Sequence, residues 1–279
     1  MDRKKLIIFI LAAFLPMIGV GVAMHFCVPI LKYLLSAGAM FIPMLAVIIT
    51  QAICKEPIFS GVGISFKFNR WWVIGWLLIP VIALAILGMT LLMPGAKWTP
   101  DNDTMKMALQ SMPEGFGVWG FIGVTVLSGL LSGATINAVF GLGEEIAWRG
   151  FLLNMFTGKK FWKVALWTGI IWGFWHAPII LNGHNYPQHP VLGVFMMVVF
   201  CVMMTPILIY FREKSGSVIV PAIMHGTFNA LAGLSLLLVT PANDLLYGAT
   251  GLAGFLVFLV VNVCLFLYDR LVSKGKRIL

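Results

Sequence analysis

Charge is scarce in this sequence. Only 10% of its 279 residues carry one, against 60% that are hydrophobic, and the mean hydropathy is +0.98. That balance excludes a soluble globular domain, whose wetted surface needs many more polar side chains. Acidic residues are the rarer sign, ten against nineteen Lys and Arg. In a soluble chain the net charge of +9 would suggest nucleic acid. Here the basic residues sit in short runs between apolar stretches and read as topology signals, so no nucleic-acid partner is expected. The four cysteines, Cys27, Cys54, Cys201 and Cys264, show no C-x-x-C spacing. They read as small apolar fillers, which argues against a disulfide framework. The zincin signature H-E-x-x-H, heptad runs, internal repeats and low-complexity tracts are missing as well.

What is abundant is long apolar sequence. A membrane-spanning helix needs about 20 apolar residues, and windows of that kind lie near 6–28, 34–54, 72–93, 118–142, 163–183, 190–211, 217–239 and 246–268. The expectation is an all-α, polytopic membrane helical bundle of about eight transmembrane helices, one integral membrane domain over residues 1–279. The N-terminal stretch "MDRKKLIIFILAAFLPMIGVGVAMHF" has basic residues before its apolar run, as a signal peptide does. The run is too long for that, and it reads as the first span.

Threading eight spans places both termini on one side. Sixteen basic residues, from Arg3, Lys4 and Lys5 to Lys274, Lys276 and Arg277, share that side, and only Lys32, Lys97 and Lys106 face the other. Positive charge marks the cytoplasmic face, so both termini are expected to be cytoplasmic in a multi-pass protein of the cell membrane. Two polar stretches fall on the opposite face. Pro94–Gly115, with Asp101, Asp103 and Glu114, reads as an external loop or short interfacial helix. "NGHNYPQHP", residues 182–190, reads as a second loop, in which turn residues surround His184 and His189 and argue against a metal pair.

The few strongly polar residues left inside the spans form three clusters: "EEIAWR" at 144–149, His176 in "WGFWHAP", and His225 with Asn229 in "HGTFN". A charge in hydrocarbon costs several kcal/mol unless it is paired or hydrated. Glu145 and Arg149 stand one helical turn apart and can pair, while Glu144 points about 100° away and is left for chemistry. His225 and Asn229 share a face by the same spacing. Each group alone could be interhelical hydrogen-bond glue, worth about 1 kcal/mol. Six such groups on three spans are better explained by a common site around water or a ligand. A carboxylate and two imidazoles suit general-base hydrolysis, with an imidazole and an amide to meet an oxyanion. The set Glu144, His176 and His225 could equally hold a zinc ion, so the residues leave open a divalent metal or none.

These motifs resemble the CAAX prenyl endopeptidase type II family, within the wider CPBP (Abi) group of intramembrane proteases, which includes proteins of bacteriocin self-immunity. The family patterns EExxxR, FxxxH and HxxxN are matched by Glu144, Glu145 and Arg149, by His176, and by His225 and Asn229. The aromatic position of the second pattern is Trp172 here. The resemblance covers about 118–240 and implies a motif-bearing protease core in that region. It implies that Glu144 activates water, that Glu145 and Arg149 support it, and that a peptide bond is cut in or beside the bilayer near the cytosolic face. The substrate would be a peptide or membrane-protein segment, prenylated or not, in CAAX-type processing, peptide maturation or self-immunity. Two other readings compete: a proton-coupled transporter, which Gly19, Gly21, Gly38, Gly61 and Gly63 would suit as helix breaks or close packing, and a catalytically silent protein that binds a peptide such as a toxin. One difficulty concerns depth. His176 lies about 20 Å along its span while His225 lies near the start of its own. A tilt, a re-entrant start to the fifth span or a break near Pro178 would bring them level.

Overall fold

The structure, a computed structural model, describes residues 2–110, 112–113, 115–156, 158–273 and 278. Glu114, Lys274, Lys276 and Arg277 of the charge reading lie outside the described residues. The chain folds as an all-α polytopic bundle, from the helix α1 (Arg3–His25) to the helix α14 (Leu252–Leu271). Between them come α2 (Pro29–Ala39), α3 (Ile42–Ile53), α4 (Arg70–Leu91), α5 (Asp103–Gln110), α6 (Val118–Ala134), α7 (Ile136–Glu145), α8 (Leu152–Met155), α9 (Phe161–Trp175), α10 (Ala177–Ile180), α11 (Pro190–Ser215), α12 (Ile219–Leu231) and α13 (Leu234–Leu238). Among the described residues the only strands are a two-residue antiparallel pair, Lys97–Trp98 with Val239–Thr240.

Among the described residues six helical stretches are long and apolar enough to cross a bilayer: Arg3–His25, Pro29–Ile53, Arg70–Leu91, Pro190–Ser215, Ile219–Leu238 and Leu252–Leu271. A bent pair joins them, either a broken span or a re-entrant loop: α6 and the Ile136–Met155 stretch meet at Thr135 with a bend of 54°. The segment expected as the fifth span is helical only over the 15 residues of α9, about 22 Å at 1.5 Å per residue and short of a 30 Å hydrocarbon core. Its helix ends at Trp175 with His176 as its C-cap, so of the three ways left open to bring the histidines level, a break near Pro178 is the one seen here. The loop read from Pro94 to Gly115 contains α5, where the Asn102 side chain accepts from the Met105 N–H at 2.9 Å and caps the helix.

Small residues set how closely the site helices approach. A Cβ on Gly226 would lie 2.6 Å from the Asn137 carbonyl carbon, and one on Gly141 2.6 Å from the Ala222 oxygen. The contacts run in opposite directions along α7 and α12, so the two cross antiparallel with backbones nearly touching. Gly169 against Val202 and Gly173 against Val198 join α9 to α11 in the same way. Of the glycines noted for helix breaks or close packing, Gly21 abuts Pro178, Gly61 and Gly63 take positive φ in the turn before α4, and a Cβ on Gly19 or Gly38 would meet no described atom within 4 Å. Residues 61–63 lie across the end of the bundle that carries the N-terminus: Val62 packs on Gly150, and the Gly63 oxygen accepts from the Val218 N–H.

Candidate active site

Helix α7 ends on Glu144 and Glu145, and the chain runs on through a π-helical stretch, Ile146–Phe151, that carries Trp148 and Arg149. The wider π turn is an uncommon conformation that often marks functional sites. One turn apart on this segment, Trp148 donates its indole N–H to Glu144 Oε2 at 3.2 Å, and Arg149 donates to Glu145 Oε1 at 2.9 Å. Glu145 and Arg149 have no exposed surface and Glu144 only 2%.

The facing helices complete the cluster. From α9, Trp172 donates its indole N–H to the same Glu144 Oε2 at 2.7 Å, and the Arg149 guanidinium lies over the Trp172 ring, 4.1 Å from its centre. At the end of α9 the His176 Nδ1 is 2.9 Å from the Trp172 carbonyl oxygen. A carbonyl can only accept, so Nδ1 carries the proton and Nε2 is left as a free acceptor. From α11, the Thr205 hydroxyl accepts a second Arg149 N–H at 3.0 Å and donates its own O–H to the Cys201 backbone oxygen. From α12, the His225 Nδ1 lies 2.8 Å from Glu145 Oε1, and its ring centre is 5.6 Å from that of Trp172. Glu144 makes no hydrogen bond to either histidine, but its charge acts on both imidazoles.

The structure therefore brings together Glu144, Glu145, Arg149, Trp172, His176 and His225. The expected Glu145–Arg149 pair is there, and Glu145 also takes His225, so one oxygen serves two partners. Asn229, a turn beyond His225 on α12, is exposed and makes no hydrogen bond among the described residues. Trp148 and Thr205 belong to the cluster and were missed. Trp148 had a signal in its spacing from Glu144, whereas a threonine inside an apolar helix gives none. His184 and His189 do not pair with each other. His189 bonds Asp244 at 2.6 Å, clipping its loop to the segment before α14. The partly buried His184 is lowered to about 4 by burial, then by the nearby charge of His176.

A bundle of apolar helices enclosing a carboxylate and two imidazoles, each ring tied through Nδ1 and with no hydrogen bond at Nε2 among the described residues, has the parts of a membrane-embedded hydrolase. Residues 118–231, from the first residue of α6 to the last of α12, match the family described as type II CAAX prenyl endopeptidase Rce1-like. Over that stretch, less than half of its length, the chain is similar to this family of endopeptidases. No curated protein is similar enough to the chain to stand as a relative of it.

Proposed function

We propose that the protein hydrolyses a peptide bond of a membrane-associated peptide or protein segment with water activated by Glu144. The observation that carries this reading is the division of labour on one carboxylate: Glu144 Oε2 is held by two indole N–H groups, and Oε1 has no hydrogen bond among the described residues. Oε1 takes a proton from water as the water oxygen attacks the scissile carbonyl carbon. Charge then gathers on the carbonyl oxygen. Doubly protonated, with its Nδ1–H bound to Glu145, His225 offers its second N–H, on Nε2, to that oxygen, and Asn229 supplies an amide N–H one turn away. The Nε2 lone pair of His176 accepts the proton from Glu144 and passes it to the departing amine, so the base is restored as the C–N bond breaks.

A divalent metal held by Glu144, His176 and His225 does not fit this placement. Among the described residues no three His, Cys, Asp or Glu side chains converge as a ligand set, and Glu144 Oε2 is already bonded to two indoles. No step is routed through a metal. We place the site toward the cytosolic face, with both termini cytoplasmic, from the bias of basic residues. The substrate class is a peptide or membrane-protein segment, with a prenyl chain, peptide maturation and self-immunity as the contexts the family suggests.

The test is Glu144→Gln in proteoliposomes, following cleavage of an internally quenched peptide and, in parallel, proton flux. We expect cleavage to fall by 10²-fold or more, the scale of a lost general base, with the melting temperature close to native. Full cleavage by the variant would reject the role of Glu144. Proton flux with no cleavage in the native protein would favour the transporter reading.

A further inference from the structure

We infer that Trp172 is a positioning residue of the proposed reaction, acting through its indole N–H on Glu144. The inference rests on the assignment of Glu144 as the base. The family pattern has phenylalanine at this position, and phenylalanine has no N–H to donate. Here the Trp172 Nε1–H is 2.7 Å from Glu144 Oε2, shorter than the 3.2 Å contact from Trp148. An indole is a donor only, so neither contact can reverse its sense: both groups fix one oxygen of the carboxylate and turn the other toward the reaction.

The same side chain meets the rest of the cluster. Its ring face carries the Arg149 guanidinium, its ring lies edge-on to His225, and its backbone oxygen sets which nitrogen of His176 is protonated. The ring contacts would survive replacement by phenylalanine, and so would the backbone bond. Only the N–H to Glu144 would be lost, which makes Trp172→Phe a test of that one bond. A base that swings on its χ angles spends less time aligned with water, and a displacement of about 1 Å can cost up to about 100-fold in rate.

The experiment has two arms on the full chain. In the first, the ten tryptophan indole N–H resonances are observed by ¹⁵N–¹H NMR in nanodiscs. Replacing Glu144 with glutamine should move two of them upfield, because a charged acceptor becomes a neutral one. No movement would overturn the inference, whatever the protein cleaves and however the tryptophan variants fold. In the second arm, Trp172→Phe and Trp148→Phe are compared on quenched CAAX-type peptides with and without an S-farnesyl group. For Trp172→Phe we expect kcat to fall about 10- to 100-fold with KM within twofold. Native kcat in a folded Trp172→Phe would overturn the inference. Failure of the native chain to cleave either peptide would count against the proposed reaction and leave the NMR arm to decide on Trp172.

Discussion

The Nδ1 of His225 lies 2.8 Å from Glu145 Oε1, the oxygen that also receives Arg149 at 2.9 Å. Glu145 therefore couples the π-helical stretch after α7 to α12, and the arginine is what balances its charge in a place with no exposed surface. Its other oxygen, Oε2, and Arg149 Nε are buried without partners among the described residues, so the pair has little to spare.

Replacing Arg149 with alanine should therefore damage the fold more than the chemistry. Removal of one member of a buried pair typically costs about 3–5 kcal/mol because the other charge is left behind. We expect a large drop in melting temperature in detergent. Double replacement, Arg149→Met with Glu145→Gln, should recover part of it. A variant Arg149→Ala as stable as the native protein would contradict the pairing. Arg149→Lys should not rescue it, since a point ammonium cannot reach Glu145 and Thr205 in one fork.

The close crossing of α7 and α12 gives a second expectation. A methyl at Gly226 would meet backbone atoms of Asn137 and Ala138 at 2.6 and 2.7 Å, which cannot turn aside as a side chain would. Gly226→Ala should push the helices apart, lengthen the Glu145–His225 bond and cost about 1–3 kcal/mol, the usual range for overpacking. Thermal unfolding and cleavage rate should fall together. Unchanged activity would mean that the crossing does not set the site.

Much of this site is legible in the sequence because polar residues stand out in an apolar chain. Glu144, Glu145, Arg149, His176 and His225 were found by contrast and by spacing along single helices, and they do meet. Relations between helices were not legible. Thr205 is 56 positions from Arg149 and looks like any helical threonine. Trp172 was visible as a departure from the family pattern, but only the structure shows that its N–H is used. The breaks at Thr135 and after Trp175 escape hydropathy windows, because both interrupt sequence that is apolar on either side. They answer the depth problem, since the fourth and fifth spans need not run straight through the bilayer to reach His225.

Chelation separates the two chemistries the residues alone left open. With Glu144 Oε2 bonded to Trp148 and Trp172, and with no convergent ligand set among the described residues, cleavage should persist after EDTA or phenanthroline treatment. Loss of activity on chelation and its return with zinc would require Glu144 to rotate off both indoles.

His184 supplies a pH dependence of stability that is separate from catalysis. It sits in the loop after α10, and burial followed by the charge of His176 lowers it from 6.5 to about 4, while Glu144 opposes the shift. A histidine lowered on folding takes its proton more readily in the unfolded chain. The unfolded state therefore gains protons first as pH falls, and native stability is lost progressively from about pH 6.5 down to about pH 4. His184→Gln removes this titration. We expect the variant and the native protein to differ in melting temperature by one amount near pH 7, and the variant to gain on the native protein as pH is lowered through that window. Parallel curves from pH 7 to pH 4 would show that His184 titrates as it does in the unfolded chain, and that its loop does not shield it.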